Sequence, residues 1–360
     1  MTRVIFAGGG TAGHVEPALS VARHWKSTHT DHEIQFIGTR TGLETRLVPD
    51  AGFQLRLITK VAIPRKLSLS LLTTPFALIR SITESVKIMR DADLLVGFGG
   101  YVSGPAYLAA AITRTPFIVH EANARAGLAN RLGALFTPYT AITHEIERGK
   151  LSDGLLTGLP LREDIVIAYR QACSDWKSAR SKAKTELGFE SGKPLLFIFG
   201  GSQGSAAINA VIEASREDLL SSGLQLLHGV GAQKSLPVQA VGYKATNYIT
   251  DMATAYLAAD IVISRSGAVT CAEVNTLGRY ALFIPLPIGN GEQELNAQDL
   301  IAEQRAEILS QSEFNSQWII SHIESLISKS AAAPVEGSAL DIDAASKIAS
   351  LMEHAMHGSE

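Results

Sequence analysis

The sequence predicts an α/β protein built from two doubly wound, Rossmann-like domains. Short apolar runs alternate with helical patterns along nearly the whole chain, which indicates parallel sheets with right-handed crossovers. An apolar run, a glycine turn and a helical pattern open the chain, and the same design recurs near residue 200. The 360 residues also exceed what one hydrophobic core usually covers. We expect ligands at the carboxyl ends of the strands, in a cleft between the domains.

Composition indicates a globular protein and limits the classes of partner that it could bind. Apolar residues make up 46% and charged residues 19%, and the formal net charge of -3 gives no global attraction to nucleic acid. Cys173 and Cys271 lie far apart without a CxxC partner, which argues against a disulfide framework and fits a reducing cytoplasm. The glycines at 8–13 interrupt any signal peptide, and no apolar run reaches the roughly 18 residues that span a bilayer.

The elements follow in order along the chain. Strand-like runs of the first domain fall at 4–6, 33–37, 55–58, 94–97, 117–120 and 140–143, with helical patterns such as 16–25 and 69–89 between them. After a polar segment at 169–193, the second domain begins with a strand at 195–199 and a helix at 207–215. The stretch 260–267 repeats the pattern of 93–100. We predict domains at 1–162 and 163–340, and an amphipathic helix within 341–360 that packs back on the first.

The first glycine turn has the spacing of a phosphate-binding loop. Gly8, Gly10 and Gly13 precede a helix whose N-terminal N–H groups favour an anion. A site for NAD also needs an acid at the end of the second strand, where this sequence has none, although Arg40 leaves a site for NADP open. His14, at the helix start, is either a general base or a capping histidine.

Polar residues also follow the strand at 117–120. His120, Glu121 and Asn123 lie at its carboxyl end, and Asn130 lies on the helical segment beyond. Since ligand-binding residues collect at this edge, we interpret the group as part of a site. Glu121 as a purely structural acid is the alternative.

The second domain carries three further candidate segments. The turn at 200–204 contains Ser202, whose hydroxyl is a possible phosphate donor. Ser266 and Gly267 lead into a helix on which Glu273 is placed to accept both hydroxyls of a ribose, or else only stabilises the helix N-terminus. Gln293 and Asn296 are three residues apart on one helical face, and their amides suit sugar hydroxyls.

Three other patterns receive less specific interpretations. Asp91 and Asp93 have the spacing of a metal-binding pair but precede their strand, at the amino edge of the sheet. His24, His29 and His32 straddle a helix end without supporting acids or thiols, and we predict no metal site. The segment 63–90 mixes bulky apolar and basic residues, which fits either a core helix or a surface that binds anionic lipid headgroups.

Together, several of these motifs resemble the MurG family of N-acetylglucosaminyltransferases. The matching segments are 9–17 (GGTAGHVEP), 99–105 (GGYVSGP), 120–123 (HEAN), 200–204 (GGSQG) and 265–270 (RSGAVT) with Glu273. The resemblance implies a GT-B fold and no cofactor. It also implies inverting transfer of N-acetylglucosamine from UDP to the 4-hydroxyl of undecaprenyl-diphospho-N-acetylmuramoyl-pentapeptide, a step of peptidoglycan synthesis. His14 is then the first candidate for the catalytic base and Glu121 the second.

The remaining site residues are carried over from that resemblance. Contacts to UDP-N-acetylglucosamine are expected from Thr11, Ala12, Gly13, Asn123, Arg162, Ser202, Ile249, Ala268, Val269, Thr270, Cys271, Ala272, Glu273, Gln293 and Asn296. Acceptor contacts are expected from Gly10, Tyr101 and Asn130, with the N–H groups of the first loop facing the acceptor's diphosphate. The chain departs from the family pattern at Ala12, Leu159 and Glu292.

Location and partners follow from the same resemblance. It implies a peripheral protein on the cytoplasmic face of the plasma membrane, in contact with anionic lipids and with other cell-wall synthesis or division proteins, and no nucleic-acid partner. Three other functions remain open from the residues alone. They are a UDP-sugar epimerase of the same fold, an NADP-dependent oxidoreductase, and a non-catalytic subunit that binds a UDP-sugar.

Overall fold

The computed structural model describes residues 2–61, 70–201, 203–232, 234–287 and 291–358. Its strands, in chain order, are β1 (Arg3–Ala7), β2 (Glu33–Gly38), β3 (Gln54–Leu57), β4 (Leu94–Gly97), β5 (Phe117–Glu121), β6 (Thr140–Ile142), β7 (Leu155–Leu156), β8 (Leu195–Phe199), β9 (Gln225–Gly229), β10 (Tyr243–Thr246), β11 (Ile261–Ser264), β12 (Tyr280–Phe283) and β13 (Ala306–Ile308).

The helices are numbered in the same way. They are α1 (Ala12–Thr28), α2 (Glu44–Asp50), α3 (Ser70–Met89), α4 (Gly100–Thr113), α5 (Leu128–Gly133), α6 (Glu163–Ala172), α7 (Trp176–Glu186), α8 (Ala206–Ser221), α9 (Met252–Ala258), α10 (Ala268–Thr276), α11 (Glu292–Asn296), α12 (Gln298–Ala302), α13 (Ser316–Ala332) and α14 (Ala344–His357). The chain divides into two compact units, Met1–Arg162 with Asp341–Glu360, and Glu163–Leu340.

The first unit is built on a parallel sheet of seven described strands in the order β3-β2-β1-β4-β5-β6-β7. The order reverses direction between β1 and β4, because β1 pairs with β2 on one side and with β4 on the other. In such a sheet the carboxyl ends of the two central strands diverge there and leave room for a ligand. The first glycine turn and the Gly99–Gly100 turn both start at this point.

The two faces of this sheet carry separate cores. Phe6, Val96 and Ile118 face a cluster completed by α1 and by Ile348 and Met352 of α14. Ile5 and Leu95 face the opposite way, toward α4 and its Tyr107. Helix α14 therefore covers part of one face of the first sheet, beside α1. The segment before it is held by the buried Asp341, whose Oδ1 accepts a hydrogen bond of 2.8 Å from the Leu159 N–H.

The second unit repeats the plan with a parallel sheet of six described strands, β10-β9-β8-β11-β12-β13. Its order reverses between β8 and β11, at the ends of which lie the turns at 200–204 and 265–267. Ile198, Ile263 and Leu282 face a core to which α8 and α13 contribute Ile212 and Ile323. The predicted class of two doubly wound α/β units is confirmed.

The structure extends the prediction at several elements. The polar segment 169–193 contains helix α7 and the end of α6, and the Asp175 carboxylate caps α7 by accepting from the Ser178 N–H at 3.0 Å. The predicted helix at 69–89 is α3 from residue 70 onward, while 62–69 lie outside the described residues. Within the part of the chain that is described, no helix is long and apolar enough to cross a bilayer.

Candidate active site

Two glycine turns meet at the switch point of the first sheet. The Phe98 N–H donates to the Ala7 carbonyl at 2.7 Å, which ties the end of β4 to the end of β1. Gly100 has a φ of +80°, and a Cβ added there would stand 2.4 Å from the Gly9 carbonyl oxygen. The turns approach each other so closely that only glycine fits at this position.

His14 lies in the first turn of α1, beside both glycine turns. A Cβ on Gly99 or Gly100 would come within 3.3 Å of its ring atoms, so the imidazole packs directly against the second turn. Its Nδ1 lies 3.1 Å from the Thr11 Oγ1. His14 is half-buried as a residue. The position is therefore one from which an imidazole nitrogen can reach a substrate.

Opposing influences act on the basicity of His14. Burial lowers the pKa of the imidazole below its ordinary value, because the charged form loses hydration. The Glu121 carboxylate, a hydrogen bond to the Gly9 backbone and the Glu44 carboxylate all act to raise the pKa. Burial is the largest of these effects, so the neutral imidazole predominates at neutral pH.

The Glu121 carboxylate is enclosed by four hydrogen-bond donors. Oε1 accepts from the backbone N–H and the Nδ2 of Asn123 at 2.9 and 3.0 Å. Oε2 accepts from the Gly127 N–H at 2.8 Å and from Asn130 Nδ2 at 2.9 Å. Glu121 is only 2% exposed and is the last residue of β5. Its principal role in this geometry is to fix the loop at 122–130.

Asn130 belongs to the same network. Its Oδ1 accepts from the Tyr107 hydroxyl at 2.8 Å, and its Nδ2 donates to the His120 carbonyl as well as to Glu121. The side chain is buried on α5, the helical segment that the sequence predicts for it. These hydrogen bonds give Asn130 a structural role in holding α5 to the end of β5.

His120 is a buried histidine of a different kind. Its Nε2 lies 3.2 Å from the Gly158 carbonyl, and burial lowers the pKa of the ring to about 4. The neutral ring is therefore the form that the folded protein contains near neutral pH. His120 therefore packs inside the protein at the end of β5, and Glu121 and Asn123 follow it there.

One N–H group of the first loop has a hydrogen-bond partner within the protein. The Gly10 N–H was expected to face the acceptor's diphosphate, yet it donates to Glu44 Oε2 at 3.0 Å. Glu44, which no motif in the sequence indicates, is fully buried at the start of α2. The side chain of Tyr101 covers Gly10, since a Cβ there would lie 2.7 Å from its ring. Thr11, Ala12 and Gly13 remain at the N-terminus of α1, where no side-chain hydrogen bond caps the helix.

The second unit has its own glycine turn, after β8. Gly204 has a φ of +73°, and a Cβ there would stand 2.0 Å from the Val230 carbonyl oxygen. The Ser205 hydroxyl caps α8 by accepting from the Ile208 N–H, and it also accepts from Arg265 at 2.8 Å. Ser202 lies outside the described residues. The turn after β8 is thus held to the turn after β11 through one guanidinium.

The turn after β11 leads into α10, which starts at Ala268 without a side-chain cap. Ser266 is fully buried, and Cys271 and Glu273 are almost so. Burial raises the pKa of the Cys271 thiol, which makes it a packing residue and not a nucleophile. Val269 and Thr270 are half-buried, and Ala268 and Ala272 are buried, so a ligand at this helix would meet mainly backbone groups.

The other residues expected to contact the donor lie near the carboxyl ends of the second sheet. Ile249 packs against Gly229 at the end of β9. Gln293 accepts a hydrogen bond of 2.9 Å from the Leu286 N–H, and Asn296 is buried with its Nδ2 3.4 Å from the Ser266 carbonyl. Arg162 is the last residue of the first unit and is half-buried.

The aspartate pair and the histidines that were considered as metal ligands have structural partners. Asp93 precedes β4 and accepts from the Arg3 N–H at 2.7 Å, and Asp91 pairs with the Arg3 guanidinium, both at the amino edge of the sheet. His29 stacks on Trp25 at 3.9 Å and lies 4.8 Å from His32. No group of three or more potential metal-ligating side chains occurs among the described residues.

Comparison with known proteins identifies the family. Residues 4–141 match the N-terminal domain of glycosyltransferase family 28, and residues 195–354 match its C-terminal domain. The chain belongs to this family. It is a glycosyltransferase of the GT-B fold class, and the resemblance seen in the sequence motifs is confirmed.

Curated relatives and solved structures agree with the assignment. Relatives from Corynebacterium efficiens and Thermobifida fusca are 42% and 43% identical, over 90% of this chain and 88% and 86% of theirs. Both are named UDP-N-acetylglucosamine–N-acetylmuramyl-(pentapeptide) pyrophosphoryl-undecaprenol N-acetylglucosamine transferase. The crystal structure of Acinetobacter baumannii MurG covers 98% of this chain and 99% of its own, with a TM-score of 0.71 and 24% identity. A UDP-GlcNAc 2-epimerase from Neisseria meningitidis covers 98% and 100%, with a TM-score of 0.60 and 14% identity.

Proposed function

We infer that the chain transfers N-acetylglucosamine from UDP-N-acetylglucosamine to undecaprenyl-diphospho-N-acetylmuramoyl-pentapeptide, in the synthesis of peptidoglycan. The observation that carries this inference is identity of 42–43% to transferases of that name over nine-tenths of the chain. The likeness to an epimerase at 14% identity concerns the fold alone, so it gives no support to an epimerase activity. Family membership favours a catalytic protein over a subunit that only binds the nucleotide.

His14 acts as the base for the acceptor hydroxyl. The Nδ1 of His14 lies 3.1 Å from the Thr11 hydroxyl. In the tautomer with the ring proton on Nδ1, this nitrogen donates to the hydroxyl oxygen, and the lone pair of Nε2 takes the proton of the attacking hydroxyl. Attack at the anomeric carbon breaks the bond to the UDP oxygen, and the sugar configuration inverts. The lowered pKa of His14 keeps the ring neutral before the reaction.

Glu121 assists this step without removing the proton itself. Four donors already occupy its two oxygens, so neither oxygen is placed to take the proton of the acceptor hydroxyl. Its negative charge nevertheless acts on His14 and favours the imidazolium that forms as the proton moves. Glu121 therefore has two roles, since it also fixes the loop that contains Asn123.

The second unit binds the nucleotide. The N-termini of α8 and α10 carry partial positive charge, which stabilises the diphosphate as the leaving group gains charge. Arg265 holds the two turns together through Ser205 and the Ile284 and Pro285 carbonyls. Glu273 and Gln293 bind the ribose and the sugar.

The acceptor's lipid implies attachment to the cytoplasmic face of the membrane. Helix α3 exposes Phe76 and Ile79, which are 75% and 62% exposed, and it also exposes Lys87. An apolar surface with basic residues beside it suits anionic headgroups. Binding to vesicles with and without phosphatidylglycerol tests this, and Phe76→Ser should release the protein from the anionic vesicles.

A transfer assay tests the function directly. The purified chain is mixed with labelled UDP-N-acetylglucosamine and the lipid-linked muramoyl-pentapeptide, and label is followed into the lipid fraction. Incorporation with release of UDP is expected. Conversion of the UDP-sugar to its epimer, or binding without incorporation into an acceptor verified with a known transferase, would contradict the proposal.

A further inference from the structure

Glu44 is a buried carboxylate outside the set of residues assigned to the site. It has no exposed surface and lies at the start of α2. Oε2 accepts from the Gly10 N–H at 3.0 Å. Oε1 is within reach of three donors, namely the Thr39 N–H at 3.0 Å, the Thr39 hydroxyl at 3.3 Å and the Tyr101 hydroxyl at 3.2 Å. Each oxygen therefore holds a different segment of the chain.

Three glycines close around this carboxylate. A Cβ on Gly42 would stand 1.8 Å from Oε2, one on Gly38 would stand 2.5 Å from Cγ, and one on Gly9 would stand 3.1 Å from Oε1. Because glycine has no Cβ, the backbone of these three segments can approach the carboxylate this closely. Glu44 is consequently held in one position, and whatever it binds is held there as well.

Glu44 binds the backbone segment that leads into α1 and so positions His14. Gly10 precedes Thr11, the N-cap residue of α1, and the His14 N–H donates to the Thr11 carbonyl at 3.1 Å. Tyr101, which lies over Gly10, reaches the same carboxylate with its hydroxyl. One carboxylate thus fixes both sides of the contact between the first glycine turn and α4. The charged groups that act on His14 are Glu121 of β5 and Glu44 of α2.

We propose that Glu44 is a positioning residue for the acceptor half of the reaction, because it fixes Gly10 and Tyr101 and thereby the place of His14. The inference rests on the proposed function. Glu44 touches neither substrate and acts through the residues it holds. Its carboxylate lies beside a loop whose spacing resembles an anion site and takes up one of that loop's N–H groups. The Gly10 N–H orders the loop and is not a ligand for phosphate.

Glu44→Gln is the sharpest test, because it keeps the shape and removes one acceptor. The amide oxygen of glutamine will occupy the position of Oε1, which three donors reach. The amide NH₂ then faces the Gly10 N–H. We expect kcat to fall roughly 10–100-fold, the range that corresponds to losing one buried hydrogen bond and leaving its donor without an acceptor. The dissociation constant for UDP, measured by calorimetry, should change less than about twofold, since the second unit binds the nucleotide. Asp50→Asn, an exposed carboxylate on the same helix, is the matched control and should leave kcat unchanged.

A second readout separates positioning from general damage. Removing the Glu44 charge should move the acid limb of the kcat profile to lower pH, because that charge raises the pKa of His14. Glu44→Asp keeps the charge and shortens the reach, so the limb should stay in place while kcat falls. A kcat and an acid limb like those of Asp50→Asn would overturn the inference.

NMR titration of His14 in labelled protein keeps the test independent of turnover. The His14 pKa should drop in Glu44→Gln and not in Asp50→Asn, and an unchanged value would also overturn the inference. If the wild-type chain transfers no sugar, the proposed function fails while this titration still reports on Glu44. If Glu44→Gln does not fold, Thr39→Val removes a single donor and should give a smaller loss in kcat. No loss in that variant would contradict the proposal.

Discussion

Replacing Glu121 by glutamine should destabilise the first unit far more than a neutral surface substitution does. The carboxylate accepts two hydrogen bonds at each oxygen. Glutamine has one carbonyl oxygen, so in either orientation its NH₂ faces two donors that have lost their acceptor. A buried polar group left unsatisfied costs about 1–3 kcal/mol, so the expected loss in unfolding free energy is roughly 2–6 kcal/mol.

Calorimetry measures this loss as a fall in the melting temperature. For a unit of this size, 1 kcal/mol corresponds to about 2–4 °C, so the first unit should melt roughly 5–20 °C lower. Glu147→Gln, an exposed carboxylate in the same unit, is the control and should change little. Hydrogen exchange supplies the local readout, because the Gly127 N–H donates directly to Oε2. A melting temperature equal to that of the control, with Gly127 still protected, would refute the reasoning.

Three further predictions concern single side chains. His14→Ala should lower turnover roughly 10²–10⁴-fold while UDP binding by calorimetry changes little, and near-normal turnover would remove His14 from the mechanism. His120 and His228 have folded-state pKa values lowered by burial to about 4, below the unfolded value of about 6.5. The unfolded chain therefore binds more protons between these values, and stability should fall as pH drops from 6.5 to 4, by up to about 3 kcal/mol for each histidine. Melting curves over that range check this, and His228→Gln should make the fall shallower. Gly223→Ala, at an open position with φ +81°, should cost about 1 kcal/mol, whereas Gly204→Ala should cost at least about twice that and weaken UDP binding, because its Cβ meets the Val230 carbonyl. Equal losses in the two alanine variants would contradict the steric argument.

The architecture could be predicted from the sequence because burial of the strands imposes a local pattern of apolar residues. Runs such as Val4–Phe6 are apolar since both faces of a parallel sheet are covered, and glycine follows where the chain must turn tightly. The same logic located His14, Glu121 and Asn123 at one edge of the first sheet. Short strands at the sheet edges, such as β7 with its exposed Leu155, lack that pattern and were not predicted.

Glu44 shows why part of the site could not be predicted. It stands in an ordinary stretch, Gly42-Leu43-Glu44-Thr45, where an acid at the start of a helix is expected on electrostatic grounds alone. Its burial depends on the pairing of β1 with β2, which brings residues 34 positions apart within hydrogen-bond distance. The hydrogen-bond partners of Glu121 and Asn130 could not be predicted either. The spacing of residues in a sequence indicates which ones lie near each other, but not which atoms are bonded.

The return of α14 to the first unit has a consequence for biosynthesis. Ile348, Met352 and Ala355 belong to the same core as Phe6 and Trp25, yet the ribosome adds them after every residue of the second unit. The second unit can fold while the chain is still being translated, whereas part of one face of the first unit stays uncovered until α14 is synthesised. A nonsense codon just before Ala344 would therefore destabilise the first unit, because loss of α14 would expose the hydrophobic surface of α1.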